Sequence, residues 1–208
     1  MRHVDDNVSQ DAAERACHHR RRMGGDEARC REARRIEAID AAFRAGDLRA
    51  LRDAVEDPGV IPNGSMPLAI GSCLVYAVYH SPQPFIRELL LLGADPDRHD
   101  GDGLPPIFAA LCALQPRPGA PGRADALDVL TMLLEHGADA DVRGINDWTP
   151  LHMAVSLGSV AAVRVLLAHG ADPSLRTRID DYDTAREFAA ALGAQALADE
   201  LAAAEAGR

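Results

Sequence analysis

The sequence predicts an all-α solenoid of about five helix-turn-helix units joined by short β-hairpin loops, and three observations carry that expectation. Composition is the first: the chain is 47% hydrophobic but only 4% aromatic, with Ala and Leu dominant. Both residues lose little entropy in a helix and fit strands less well than β-branched or aromatic ones. The second is a recurring phrase, Leu92-Gly93-Ala94-Asp95-Pro96, His136-Gly137-Ala138-Asp139-Ala140 and His169-Gly170-Ala171-Asp172-Pro173. The third is its spacing. The glycines stand 44 and then 33 residues apart, and the longer interval holds the Pro- and Gly-rich stretch from Gln115 to Arg123, which accounts for most of the extra 11. A fixed period of this size marks stacked repeats that bury a face only against their neighbours.

The units follow in order. Residues 1–25 are polar and without periodicity and are expected as a disordered tail, with Asp26 to Arg35 as a helix feeding into the repeat domain of 26–206. The first unit, about 33–60, has a front half from Ile36 to Gly46 followed by Asp47-Leu48. It sets Arg44, Arg49, Arg52, Asp53 and Glu56 among its apolar positions, as a terminal unit with one wet face should. The second, 61–94, opens its first helix at Ser72-Cys73-Leu74-Val75-Tyr76-Ala77. The third, 95–139, does so at Pro105-Pro106-Ile107-Phe108-Ala109-Ala110 and carries the 115–123 insertion between its two helices.

The fourth unit, 140–172, is the clearest. Thr149 can cap a helix, Pro150 suits the first helical position where its missing N–H costs nothing, and Leu151 and Ala154 then face inward. Gly158 lets the chain turn, Val160, Val163 and Leu167 share one face of the second helix, and Gly170 ends it in the left-handed conformation. The fifth, 173–206, starts its helix at Thr184, places Gly193 at the same nine-residue offset, and ends Ala-rich with Asp199, Glu200 and Glu205.

The run Thr149-Pro150-Leu151-His152-Met153-Ala154, with Gly158 and the Gly-Ala-Asp phrase, resembles the ankyrin repeat, here of bacterial type, over roughly residues 33 to 206. The resemblance implies a protein-binding module without chemistry of its own. It implies that His152 is a structural residue bonded to the neighbouring hairpin backbone. It also implies that the hairpins before each capping slot and the exposed ends of the inner helices meet the partner. On that basis the candidate contact residues are His99, Asp100, Asp102 and Leu104 in the third hairpin, and Arg143, Ile145, Asn146, Asp147 and Trp148 in the fourth. Asp180, Asp181, Tyr182 and Asp183 follow in the fifth, which is two residues longer by period. On the inner helices they are Tyr79, His80, Ser156 and Leu157. Trp148, the single Trp, falls where the repeat pattern expects an exposed variable residue and is the expected anchor, since Trp is enriched among residues that dominate binding energy. The insertion is expected on the side away from the hairpins.

Other functions are disfavoured. A formal charge of −10 repels nucleic acid, and no stretch interleaves basic with aromatic residues. All 22 basic residues are Arg, which removes Schiff-base and phosphate-loop lysines. The all-Arg usage beside abundant Ala and Gly points to a GC-rich genome. No signal-peptide core follows Met1 and no long apolar run exists, so a soluble cytoplasmic protein without a membrane segment is expected. Cys17, Cys30, Cys73 and Cys112 match neither a disulfide framework nor a zinc pattern. Cys17-His18-His19 with Cys30 has ligand types but no convergent spacing, and Asp95, Asp97, Asp100 and Asp102 depart from a calcium loop at His99 and lack its closing Glu. No metal, no cofactor and no catalytic residue is expected. The expected function is therefore a single-chain module for a protein partner, with a basic one suiting the acidic groove. An inhibitor or immunity-type protein neutralising a toxin or enzyme is one alternative, and a homo-oligomeric scaffold joined at the array ends is another.

Overall fold

A computed structural model describes residues 27–64, 66, 71–98, 104–115, 122–144, 147–178 and 182–207. The expected tail over 1–25 lies outside them. Among the described residues, ten α-helices follow one another as five pairs: α1 (27–45) with α2 (Leu48–Ala54), α3 (Cys73–His80) with α4 (Gln83–Leu91), α5 (Pro106–Cys112) with α6 (Ala126–Glu135), α7 (Pro150–Ser156) with α8 (Val160–Ala168), and α9 (Ala185–Ala191) with α10 (Gln195–Ala206). Stacking is by nearest neighbour. Inner helices α3, α5, α7 and α9 touch in sequence, as do outer helices α4, α6, α8 and α10. α1 joins the stack through Phe43, whose ring lies edge-on to Tyr76 at 4.8 Å and to Phe85 at 5.9 Å. The helical solenoid expected from the period is the fold.

Local chemistry sets the ends of these helices. Asp47 accepts from the Ala50 amide at 2.9 Å and Ser159 from Ala162 at 3.2 Å, each satisfying one of the donors a helix start leaves open. Thr184 and Glu187 form a reciprocal capping box on α9. At the other end of the outer helices, His136 Nδ1 donates to the Met132 carbonyl and His169 Nδ1 to Val165, both at 2.8 Å. Unit 2 has Leu92 in that slot, and it is exposed. Gly158 takes φ 65 between α7 and α8, a conformation that would strain a residue with a Cβ.

One apolar cluster runs the length of the stack, from Ile39 and Phe43 through Leu74, Phe85, Ile107, Phe108, Leu130 and Leu151 to Leu166 and Leu201. Each fully buried side chain of this size contributes roughly 1.5–3 kcal/mol, so the array is held by this continuous seam more than by helix propensity.

The recurring Asp has two bonding tasks. Locally, Asp95 accepts from the Asp97 amide at 3.0 Å, Asp139 from Asp141 at 2.8 Å and Asp172 from Ser174 at 3.0 Å, closing a turn just after each of α4, α6 and α8. Over a longer span, the residue two places on reaches the next Gly-Ala-Asp phrase: Asp97 accepts from the Asp139 amide at 2.9 Å and Asp141 from Asp172 at 2.8 Å. Asn63 opens the ladder by accepting from the Asp95 amide at 2.8 Å.

The stems of the insertion are built into the array, while 116–121 lie outside the described residues. Arg123 forms a fork with Asp125 at 2.7 and 2.9 Å and donates back to the Val78 carbonyl of unit 2 at 2.6 Å. Gln115 donates forward to the Leu157 carbonyl of unit 4 at 2.8 Å. These contacts lie at the C-terminal ends of α3 and α7, the edge where inner helices turn to outer ones.

Candidate interaction surface

Helices α7 and α9 each begin directly after a hairpin loop, so these two loops and the N-terminal halves of α7 and α9 share one side of the stack. The fourth and fifth hairpins are built alike. Gly144 N–H donates to the Trp148 carbonyl at 2.9 Å and Thr177 N–H to the Asp183 carbonyl at 3.0 Å. The residues directly before the closing Trp148 and Asp183, namely Asp147 and Tyr182, are left-handed at φ 59 and 57. Arg143 and Arg176, one 33-residue period apart, each fasten that residue of their own hairpin: Arg143 donates to the Asp147 carbonyl at 2.9 Å, Arg176 to the Tyr182 carbonyl at 2.8 Å. An antiparallel bridge between Arg176 and Thr184 joins the two arms of the fifth hairpin.

The two hairpins are also tied to each other. Arg143 reaches the Arg176 carbonyl at 2.8 Å, and the Asp147 carboxylate takes the Arg178 backbone N–H at 2.8 Å and its guanidinium at 2.7 Å. The Arg178 guanidinium, with help from Arg143, holds the Asp147 carboxyl below its ordinary range. His152 adds a buried link. Its Nδ1 sits 2.9 Å from Thr149 Oγ1 and 3.4 Å from the Thr149 amide, and its Nε2 lies 3.0 Å from the Asp183 carbonyl. That carbonyl can only accept, so Nε2 carries the proton and Nδ1 receives from Thr149. Burial holds the ring below its ordinary pKa, hence neutral. In unit 5 Glu187 occupies the equivalent slot. It is held down to about 2 by the Thr184 amide it accepts from and then by Arg176, which grips it with two bonds at 2.8 and 2.9 Å.

These bonds sort the candidate residues. Arg143 and Asp147 serve the joint between units 4 and 5. Trp148 is half-buried, not free: its ring lies 5.3 Å from that of Phe188 on α9, which closes over it from the next unit. Leu157, expected on the open face, is buried in the core cluster, and only its carbonyl is used, by Gln115. Tyr182 is 61% exposed. Asp183 and Leu104 are half-buried, and Ser156 is exposed with its hydroxyl donated to the Met153 carbonyl at 2.8 Å. His99, Asp100, Asp102, Ile145, Asn146, Asp180 and Asp181 lie outside the described residues.

At the opposite end of the inner face, Tyr79 and His80 belong to a cluster that their own helix spacing did not reveal. Tyr76 donates its hydroxyl to Asp40 on α1, and Asp40 also accepts from Arg44 at 2.8 Å. The His80 ring tilts over Tyr76 at 4.4 Å. Arg44 holds the Asp40 carboxyl down, while burial pushes Tyr76 and Tyr79 up to about 12 and, with Arg44, keeps His80 low. Asp40, Arg44, Tyr76 and Phe188 were missed because their importance lies in contacts between units. The recurrence of Arg at 143 and 176 was a signal present in the sequence.

Chemistry finds little footing among the described residues. No group of three or more His, Cys, Asp and Glu side chains is arranged to hold a metal ion, and no helix is long and apolar enough to cross a membrane. Burial pushes the Cys73 thiol up to about 12, away from the thiolate a nucleophile needs.

Comparison with known proteins agrees with this geometry. The family profile for ankyrin repeats in three copies matches residues 74–177 and 120–206. The chain is 53% identical over 47 residues to a mouse 2-5A-dependent ribonuclease, covering 22% of this chain and 6% of that protein. It is 43% identical over 67 residues to a putative E3 ubiquitin-protein ligase, XBAT34, of Arabidopsis thaliana, covering 31% and 17%. Over 171 residues it is 28% identical to the glycerophosphocholine phosphodiesterase gde1 of Schizosaccharomyces pombe, covering 80% of this chain but 12% of that one. The chain thus spans under a fifth of the length of each of these relatives. The repeating helix pairs, the aspartate ladder and the profile match identify it as a member of the ankyrin repeat family.

Proposed function

We propose that the protein is a non-enzymatic binding module that takes a protein partner on the hairpin tips and inner-helix face of units 4 and 5. One observation carries this reading. Tyr182, a bulky aromatic, is exposed at the end of a hairpin loop in a left-handed conformation that Gly or Asn would adopt at lower cost, and Arg176, itself gripped by Glu187, holds its carbonyl in place. Aromatic side chains presented on a rigid frame supply contact area at small entropic cost. Trp148, its ring tilted against that of Phe188, borders the same face and offers its remaining exposed edge.

The charge of −10 favours a basic partner, chiefly through faster encounter and selection against acidic proteins. A cytoplasmic setting and single-copy engagement of the partner belong to this reading. So does the narrower version in which the partner is a toxin or enzyme that the module inhibits. The phosphodiesterase among the relatives is matched over 12% of its length.

Capture from lysate of the source cell tests the assignment, with wild type, Tyr182→Ala and Trp148→Ala as baits. A partner retained by wild type should be lost at least tenfold on Tyr182→Ala, whose exposed ring leaves the fold intact, and also on Trp148→Ala. Equal recovery on all three would remove this face from consideration.

A further inference from the structure

Unit 1 borders a cavity of about 340 Å³, within the range of roughly 300–1,000 Å³ that small ligands occupy. Its floor is apolar. Ile39 on α1 is fully buried there, and Met66, in the segment that leads toward α3, is 5% exposed. Val55, just beyond α2, and Val60 are the half-buried walls. Local chemistry puts Val60 in place: Asp57 accepts from the Gly59 amide at 2.8 Å and so caps the 3-10 turn Pro58–Val60.

The polar lining has the opposite character. Arg35 stands one turn before Ile39 on the same face of α1. Its terminal nitrogens pair with Glu32 at 2.8 Å and with Glu56. Its Nε is buried and has no hydrogen-bond partner among the described residues. A charged donor shut away from water is a group that an incoming acceptor satisfies. Glu56 and Asp57 complete the lining, and both are exposed, Glu56 over 81% of its side chain. The cavity therefore has a greasy floor, one unsatisfied donor, and two carboxylates at its open edge against a guanidinium that is already paired. That edge favours an incoming cation.

We propose that this cavity receives the free amino terminus of a peptide whose first residue is aliphatic. The side chain lies against Ile39, Val55, Val60 and Met66, the carbonyl of that residue accepts from Arg35 Nε, and the ammonium group meets Glu56 and Asp57. An amino terminus carries charge, acceptor and aliphatic side chain on neighbouring atoms, as a cavity of this size requires. A lysine side chain holds its charge a four-carbon stem away from its carbonyl, and a carboxyl terminus would meet two groups of its own sign. The site belongs to unit 1 and stands apart from the face on units 4 and 5, so either reading can fall alone.

Leucinamide is the probe, titrated into the full chain at about pH 6.5, where an α-amino group is charged, while NMR follows the methyl signals of Ile39 and Met66. Both signals should move and saturate, with a Kd of about 1 mM for so small a ligand. N-acetyl-leucinamide keeps the side chain and the carbonyl but lacks the charge, and should bind about tenfold more weakly. Leucinamide should lose a similar factor on Asp57→Asn, whose amide oxygen still caps Gly59 and whose other methyl signals should stay in place. Free leucine, with a carboxylate of its own, should also bind more weakly than leucinamide. The proposal is overturned if neither signal shifts saturably at about ten times the expected Kd, or if the acetylated ligand binds equally well. Undiminished binding to Asp57→Asn overturns it as well, and so does leucine binding as tightly as leucinamide, which would make the ligand a free amino acid.

Discussion

Tyr182 joins strain and exposure in one residue. Holding a non-glycine residue in the left-handed region costs roughly 1 kcal/mol, and its ring has little packing to repay that. Tyr182→Gly should therefore raise stability by about 0.5–1 kcal/mol in urea denaturation while abolishing partner capture. A loss of stability would mean that the ring packs within the chain and is not presented outward. Asp147 occupies the equivalent loop position, where the same backbone conformation is tied down by a carboxylate. Asp147→Asn keeps the side-chain shape and its tolerance of positive φ but removes the charge gripping Arg178, so it should cost about 1 kcal/mol. A double-mutant cycle with Arg178→Ala measures how much of that cost belongs to the pair.

Between elements, one contact shows how neighbouring units specify each other. Phe108 of α5 stands in the slot that His152 fills in α7, and a Cβ placed on Gly144 in the following hairpin would lie 2.5 Å from its ring Cζ. Gly144→Ala should cost about 1–3 kcal/mol as overpacking, and Phe108→Leu in the same chain should recover part of the loss. Additive costs would show that the clash is not the cause. The same relation explains what the sequence could reveal. Thr149, Pro150, Gly158 and the Asp of each Gly-Ala-Asp phrase were legible because their roles are fixed by backbone a few residues away. Leu157 and Trp148 were assigned to open positions from their place on their own unit alone. Whether such a position is open depends on the next unit, which covers Trp148 with Phe188, and on the core seam, which takes in Leu157. Nor did α7's own spacing show that Asp147 was already occupied, since its second partner lies 31 residues on at Arg178.

Across the whole molecule, acid should act on the joint between units 4 and 5 through three groups with the same sign. His152 has a folded pKa below its ordinary 6.5, so its contribution is complete above that value and is lost as pH falls below it. Asp147 and Glu187 are also depressed. Their contributions are complete above the usual carboxylate range and are lost as pH falls, for Glu187 between 4.5 and about 2. Hydrogen-exchange protection of the Thr177 amide should therefore decline from neutral pH downward, and His152→Gln should remove the part of that decline nearest pH 6.5. Protection that holds level to pH 4 would contradict this account. The stems of the insertion have a different consequence. In a stack of nearest-neighbour couplings an interrupted repeat should be the place where melting divides. Arg123 and Gln115 instead hand bonds from the interrupted unit to both of its neighbours, and they pin the two ends of the intervening loop. Doubling the length of a pinned loop adds only about 0.6 kcal/mol of closure entropy. A peptide tag spliced between Pro118 and Gly119 should thus be carried with a single melting transition, whereas the same tag in Arg123→Ala should split it. The interruption in the repeat pattern is then the position at which this array can best be extended.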